Sequence, residues 1–305
     1  MNFSLEYSDD TEEYSASGYT DDLDENQNTP INSKRIILSA TLIVCCIGLP
    51  LNGIVIHILG FQVKRTPFIV LILNLAVADF GLLLSLAIFS VSLFADESDM
   101  SELFFFSFLN IMCITGVFLL TAISIDRCVS VLFPIWHRYS RPKYLSPLVC
   151  SFLWIFSFLL VGIPNIMEYV FQYEFIQDVY LLVTVVLSFP LITISVVILF
   201  IKIYLKPKQL KRGRLLIMIL ITLLCFFIFS IPLWIYVFTT HFLGMDYQDI
   251  FPDLHNYFFL CGSLNSSVNP VIYFLVGRKK LAPSLENIRV TFESAFKEDE
   301  APQTR

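Results

Sequence analysis

Charge is scarce in this sequence. Asp, Glu, Lys and Arg together make up 15% of its 305 residues, against 56% apolar residues, and the mean hydropathy is +0.72. A soluble domain of this length needs more polar cover than that. The apolar residues fall instead into seven blocks, near 37–61, 68–93, 103–132, 146–168, 179–204, 213–239 and 254–276. Each is long enough to cross hydrocarbon, which takes roughly 17–25 helical residues. Pro190 interrupts the fifth block and Pro232 the sixth. Other absences narrow the class. Internal repeats and a row of charges along a pathway are missing, which weighs against a transporter. His57, His137, His241 and His255 are scattered, with no nucleophile–base pair or metal cluster around them, so an enzyme is not expected. No apolar run occurs in the acidic residues 1–30, so the first span is expected to act as its own insertion signal.

The bases set an orientation. With residues 1–35 placed outside and the spans alternating, Lys34 and Arg35 are the outer bases, and every other Lys and Arg falls at an inner loop, an inner span end or the C-terminal segment. That asymmetry predicts an extracellular N-terminus, a cytoplasmic C-terminus and an odd number of spans. The acids partition the other way. They crowd residues 1–35, Asp96 to Glu102, Glu168 to Asp178 and Asp246 to Asp253. An outer field of that sign steers cations inward, so the partner expected there is a basic peptide or amine. Anionic membrane lipids are expected at the inner side, and no nucleic-acid partner. Residues 1–35 are too polar to fold alone and are read as a disordered tail. All seven cysteines (Cys45, Cys46, Cys113, Cys128, Cys150, Cys225, Cys261) lie in spans or at their inner ends, which excludes an outer disulfide framework and points to buried small side chains.

Polar groups inside spans are functional candidates by default. Asn52 lies in the first span and Asp79 at mid-depth in the second. The seventh carries Asn265, Ser266, Asn269, Pro270 and Tyr273. A carboxylate at that depth must be paired, hydrated or protonated. Asn52, Asn265, Ser266 and Asn269 offer amides and hydroxyls to satisfy it, and water or a small cation such as sodium would complete the shell. Pro270 frees a carbonyl and makes a local kink; Pro190 and Pro232 are the other candidate hinges. Asp126 and Arg127 close the third apolar block, where a bare charge would be costly.

Taken in chain order, these residues resemble the rhodopsin-like G-protein-coupled receptors: Asn52, Leu75-Ala76-x-x-Asp79, Asp126-Arg127-Cys128, Trp154, Pro190, Pro232 and Asn269-Pro270-x-x-Tyr273. The run Leu119 to Tyr144, with Cys128 after the arginine, Asn265 to Gly277 and Ala295 to Glu300 are similar to the Mas-related receptors within that class. The resemblance implies an all-α seven-transmembrane bundle over 36–277, followed by an amphipathic helix and short tail in 278–305. In that segment Leu281, Leu285, Ile288, Phe292 and Phe296 recur at helical spacing. It also implies an extracellular ligand and a heterotrimeric G protein, with Asp126, Arg127 and Cys128 at the coupling end. Arg127 would rest on Asp126 and swing away when span 6 moves. The basic cluster Arg138, Arg141 and Lys143 would border that cleft or touch lipid.

As in the Mas-related receptors, no Cys begins span 3, where Glu102 stands, so the usual outer disulfide of rhodopsin-like receptors is not expected. Two departures qualify this picture: no Trp precedes Pro232, and Pro164 occupies the place where Mas-related receptors tend to carry an acid, with Glu168 one turn later. Glu102, Glu168 and Asp178 are the candidate ligand residues. The sixth span begins with the bases Lys211, Arg212 and Arg214 rather than an acid, so a loosely held resting state is expected. Tyr7, Tyr14 and Tyr19 sit among acids as sulfation candidates, as in chemoattractant receptors, and Asn2 heads a glycosylation sequon. A chemoattractant peptide receptor and a non-signalling scavenger are the rival readings.

Overall fold

The computed structural model describes residues 22–95, 102–142, 144–171, 179–205, 214–239 and 254–277. Tyr7, Tyr14, Tyr19, Asn2, Asp178 and the amphipathic segment 278–305 lie outside the described residues. The described chain forms α1 (Asp22–His57), continued by a π-helical turn (Ile58–Gln62), α2 (Pro67–Ala95), α3 (Glu102–Leu132), α4 (Pro134–Tyr139) and α5 (Leu145–Phe171). It then forms α6 (Val179–Leu205), α7 (Arg214–Phe229), α8 (Ile231–Val237) and α9 (Leu254–Gly277). Six of these helices are long and apolar enough to cross a membrane, and α7 with α8 makes a seventh span bent by 45°. The described residues thus form a helical bundle in which α3 is the most enclosed span and α5 among the least.

The outer surface of the spans is apolar, unlike that of a soluble domain, and polar side chains lie buried within an otherwise apolar core. On α5, Leu148, Phe152, Ile155, Leu159, Ile163 and Ile166 recur every three or four residues and are all more than half exposed, whereas Cys150, Ser157 and Val161 on the other side are buried. Helical periodicity alone produces that split. Polar side chains on the inward faces stitch neighbouring spans. Trp154 donates to Asn74 at 3.1 Å, joining α5 to α2. Asn110 donates to the Tyr180 hydroxyl at 2.8 Å, joining α3 to α6. Asn165 donates to Ser107 at 2.5 Å, joining α5 to α3.

Three elements differ from the sequence reading. The first helix starts at Asp22, inside the stretch expected to lack structure. The fifth span is not interrupted at Pro190: α6 runs unbroken from Val179 to Leu205. Proline removes one backbone donor there, a loss that spans tolerate. In the sixth span the break falls at Ser230, two residues before Pro232, and the amide of Trp234 bonds back to the Ser230 carbonyl at 3.0 Å across it.

Close approach of α1 to α9 requires Gly48. A Cβ there would run into the Ser267 hydroxyl and come within 2.8 Å of Leu83 Cδ1. At Gly81 a Cβ would meet the Met112 thioether at 2.7 Å, but that chain is unbranched and can move aside. Gly48→Ala should therefore cost about 1–3 kcal/mol and Gly81→Ala much less. Thermal unfolding of the two variants in detergent checks the order.

Candidate functional site: two polar centres in the bundle

The first centre starts from a proline. Pro270 has no N–H, so the carbonyl four residues before it, that of Ser266, loses its helical partner. Asn52 supplies the replacement: its Nδ2 donates to the Ser266 carbonyl at 3.1 Å and to the Gly48 carbonyl at 3.1 Å. The residue with the freed carbonyl also turns its side chain to use. Ser266 Oγ donates to Asp79 Oδ1 at 2.7 Å, and Asn269 Nδ2 donates to Asp79 Oδ2 at 2.8 Å. One turn of α9 therefore ties α1 through its backbone and α2 through its side chains. Asn52, Asp79, Ser266 and Asn269 are all buried.

Of the remaining residues named for this centre, Tyr273 is buried in the apolar cluster with Leu75, Leu119 and Ile272. Asn265 is half-buried on α9 and is not among the donors to Asp79. Asn52 does not reach Asp79 either; its amide serves backbone. As for a cation, both oxygens of Asp79 already accept a hydrogen bond. The span facing it from α3 presents Gly116, whose Cβ position is 3.9 Å from Asp79 Oδ1, so no α3 side chain supplies a ligand at that point. The buried oxygens of Asn52 (Oδ1) and Thr115 (Oγ1) have no hydrogen-bond partner.

The second centre sits at the end of α3. Arg127 is 1% exposed, the bulkiest fully buried side chain in the described structure. Its guanidinium bonds Asp126 Oδ2 through Nη2 at 2.6 Å and Nε at 3.2 Å, and its Cζ lies 3.9 Å above the Phe68 ring of α2. The other carboxylate oxygen, Oδ1, is held by Arg141 Nη2 at 2.7 Å, with His137 Nε2 at 3.5 Å. Arg141 also meets His137 Nε2 at 2.7 Å and donates to Ser146 Oγ at 2.6 Å. Arg141 is thus turned in upon Asp126, with a side chain 8% exposed. Nearby, Cys128 Sγ contacts the Ser195 carbonyl of α6 at 3.4 Å, and Lys202 reaches the Val131 carbonyl at 3.5 Å.

Sequence reasoning missed Phe68, His137 and Ser146 at this centre, and Asn74, Asn110 and Asn165 as inter-span links. The asparagines carried the same signal that singled out Asp79, a polar group inside an apolar block. The hinge residues Pro190, Pro232 and Pro270 lie within α6, α8 and α9. Glu102 and Glu168 fall in α3 and α5, with their side chains outside the described residues.

A bundle of seven apolar spans with these two buried polar centres is the build of a seven-transmembrane receptor. A family profile described as 7 transmembrane receptor (rhodopsin family) matches residues 51–273. Among curated relatives, human Proto-oncogene Mas is 34% identical over 275 residues, covering 84% of this chain and 82% of its own length. Human Mas-related G-protein coupled receptor member D is 34% identical over 283 residues, covering 85% and 84%. Human member X1 is 30% identical over 294 residues, covering 90% of both. The chain belongs to the Mas and Mas-related receptors of the rhodopsin family, a multi-pass membrane receptor family and not one of enzymes.

The bonds to Asp79 and the inter-span link at Trp154 differ in what they are worth. Asn269→Ala leaves a buried carboxylate short of a donor and should cost about 1–3 kcal/mol. Trp154→Phe, which frees a neutral amide oxygen, should cost nearer to 0.6 kcal/mol. The unfolding midpoints of the two variants, compared in one detergent, test that ranking.

Proposed function

We propose that this chain is a plasma-membrane receptor, N-terminus outside, that binds a cationic peptide or amine and drives nucleotide exchange on a heterotrimeric G protein. The observation that carries the reading is the closed Asp126–Arg127 pair at the end of α3, a buried charge paired with its chain neighbour. Arg127 donates twice to one oxygen of Asp126 and lies over the Phe68 ring, contacts that an outward move of α7 can replace with contacts to a docking partner. The bend at Ser230 and the knot at Pro270 supply places for that move. Pro190, Pro232 and Pro270 act as hinges in this scheme, and Asn52, Asp79, Asn265, Ser266, Asn269 and Tyr273 as the rearranging polar region.

The ligand enters at the other end of the bundle. Acids crowd that side in the sequence, including Glu102, Glu168 and Asp178. Aromatic rings gather near the start of α3: Phe89 lies 5.6 Å from Phe105, 5.3 Å from Phe106 and 5.3 Å from Phe259, ring centroid to centroid. Aromatic faces suit a cation, and the acids that the sequence gathers on that side would draw one in. Tyr7, Tyr14 and Tyr19, if sulfated, and the glycosylation sequon at Asn2 belong to the same outer surface. The cytoplasmic side takes anionic lipid on its bases and on the segment 278–305.

Purified receptor in lipid nanodiscs, supplied with heterotrimeric G protein and screened with basic peptides and amphiphilic amines, should raise nucleotide exchange, and exchange without ligand should exceed that of empty nanodiscs. Arg127→Ala should remove the evoked component. Reversing both Glu168 and Asp178 to Lys should shift the half-maximal concentration of an active basic peptide upward by at least tenfold. Binding of the same peptides with no exchange on any G protein would favour the scavenger reading instead.

A further inference from the structure

Asp126 has two guanidinium partners, and they do not compete for the same atom. Arg127 occupies Oδ2 and Arg141 occupies Oδ1. The carboxylate is 9% exposed. If Arg127 were its one cation, the departure of Arg127 would leave a nearly buried charge unpaired, the situation in which breaking an ion pair is most costly. With Arg141 in place, the carboxylate stays paired whether Arg127 is present or gone. Arg141 is itself fixed from two further directions, by His137 Nε2 at 2.7 Å and Ser146 Oγ at 2.6 Å, so it does not depend on Arg127 for its position. Two cations, Arg127 and Arg141, serve one anion, so Asp126 keeps a cationic partner when Arg127 leaves.

We propose that Arg141 is the standing counter-ion of Asp126, a positioning residue that lowers the cost of releasing Arg127 and so sets how readily the receptor passes to its open state. The inference rests on the receptor reading above for its signalling consequence, but not for its structural one. It reverses the usual expectation for a residue in an ionic cluster. Removing Arg141 does not loosen the resting state. It frees Oδ1 for Arg127, gives Asp126 a single partner and locks the pair together. The basal exchange expected from the missing acid at the start of α7 is then partly the work of Arg141.

The test uses full-length receptor in nanodiscs with two readouts. Spin labels introduced at Leu132 and Ile221, both exposed, report the separation of α3 and α7 without any partner protein, and nucleotide exchange on added G protein reports signalling. Arg141→Gln should lower the longer-distance population and the basal exchange rate by roughly tenfold, the effect of about 1.4 kcal/mol on a two-state balance. Arg141→Lys, which keeps a cation beside Oδ1, should recover most of both and guards against a folding defect. In an Asp126→Asn background, adding Arg141→Gln should change either readout by less than twofold, which a purely structural role through Ser146 would not produce. An unchanged or larger open population in Arg141→Gln overturns the proposal, as does an equal loss in the Asp126→Asn background. If distances shift as stated while no ligand evokes exchange even in the unsubstituted receptor, the counter-ion role stands and the signalling reading fails.

Discussion

Hydrocarbon offers no hydrogen-bond partner, so every carbonyl that a proline exposes inside a span must be answered from within the protein. The Ser266 carbonyl is the case on which this bundle turns. Pro270 withdraws its donor and Asn52 returns one at 3.1 Å. The same turn of α9 then sends Ser266 Oγ and Asn269 Nδ2 to Asp79. Three helices meet because one backbone bond is missing, and Gly48 lets α1 come close enough for the repair. A kink stabilised by side chains, rather than by its own backbone, has more than one way to be satisfied.

The centre at Arg127 obeys the same rule with charge in place of a carbonyl. A guanidinium with 1% exposure needs an anion and a surface that tolerates it, and Asp126 with the face of Phe68 provides both. The helix α2 carries both Phe68 and Asp79, so one rigid element touches both polar centres. The short helix α4 and the residues after it are drawn onto α3 by Arg141 and His137, which gives the connection between the third and fourth spans a fixed seat on the Asp126 carboxylate. The outer surface of the spans asks for none of this; it needs only apolar side chains at helical spacing, as on α5.

The limits of the sequence reading follow from the range of the forces involved. Helical spans, their order and their inward-facing polar residues depend on local composition and a period of 3.6, and both can be counted along the chain. The residues around Asp79 were recognisable by chemical type, because few polar groups share such apolar surroundings. Which of them touch was not: Asn52 could be matched to Asp79 by chemistry, yet it serves the Ser266 carbonyl, because the register between α1 and α9 is set by packing at Gly48. Pro190 and Pro232 look alike in the sequence, and one leaves α6 unbroken while the other lies just past a bend of 45°.

The sequence by itself determined that the chain crosses a membrane as a helical bundle, that its scarce polar residues lie in spans for a reason, and that Asp126 and Arg127 are neighbours able to pair. Those are consequences of solvent transfer and of adjacency in the chain. Tertiary structure alone decided that Phe68 lies under Arg127, that Arg141 folds back to take the second oxygen of Asp126, and that Asn52 repairs the carbonyl opposite Pro270. Each of those contacts joins residues on different helices or across a turn, and its existence depends on helix rotation and register, which no local pattern of side chains encodes.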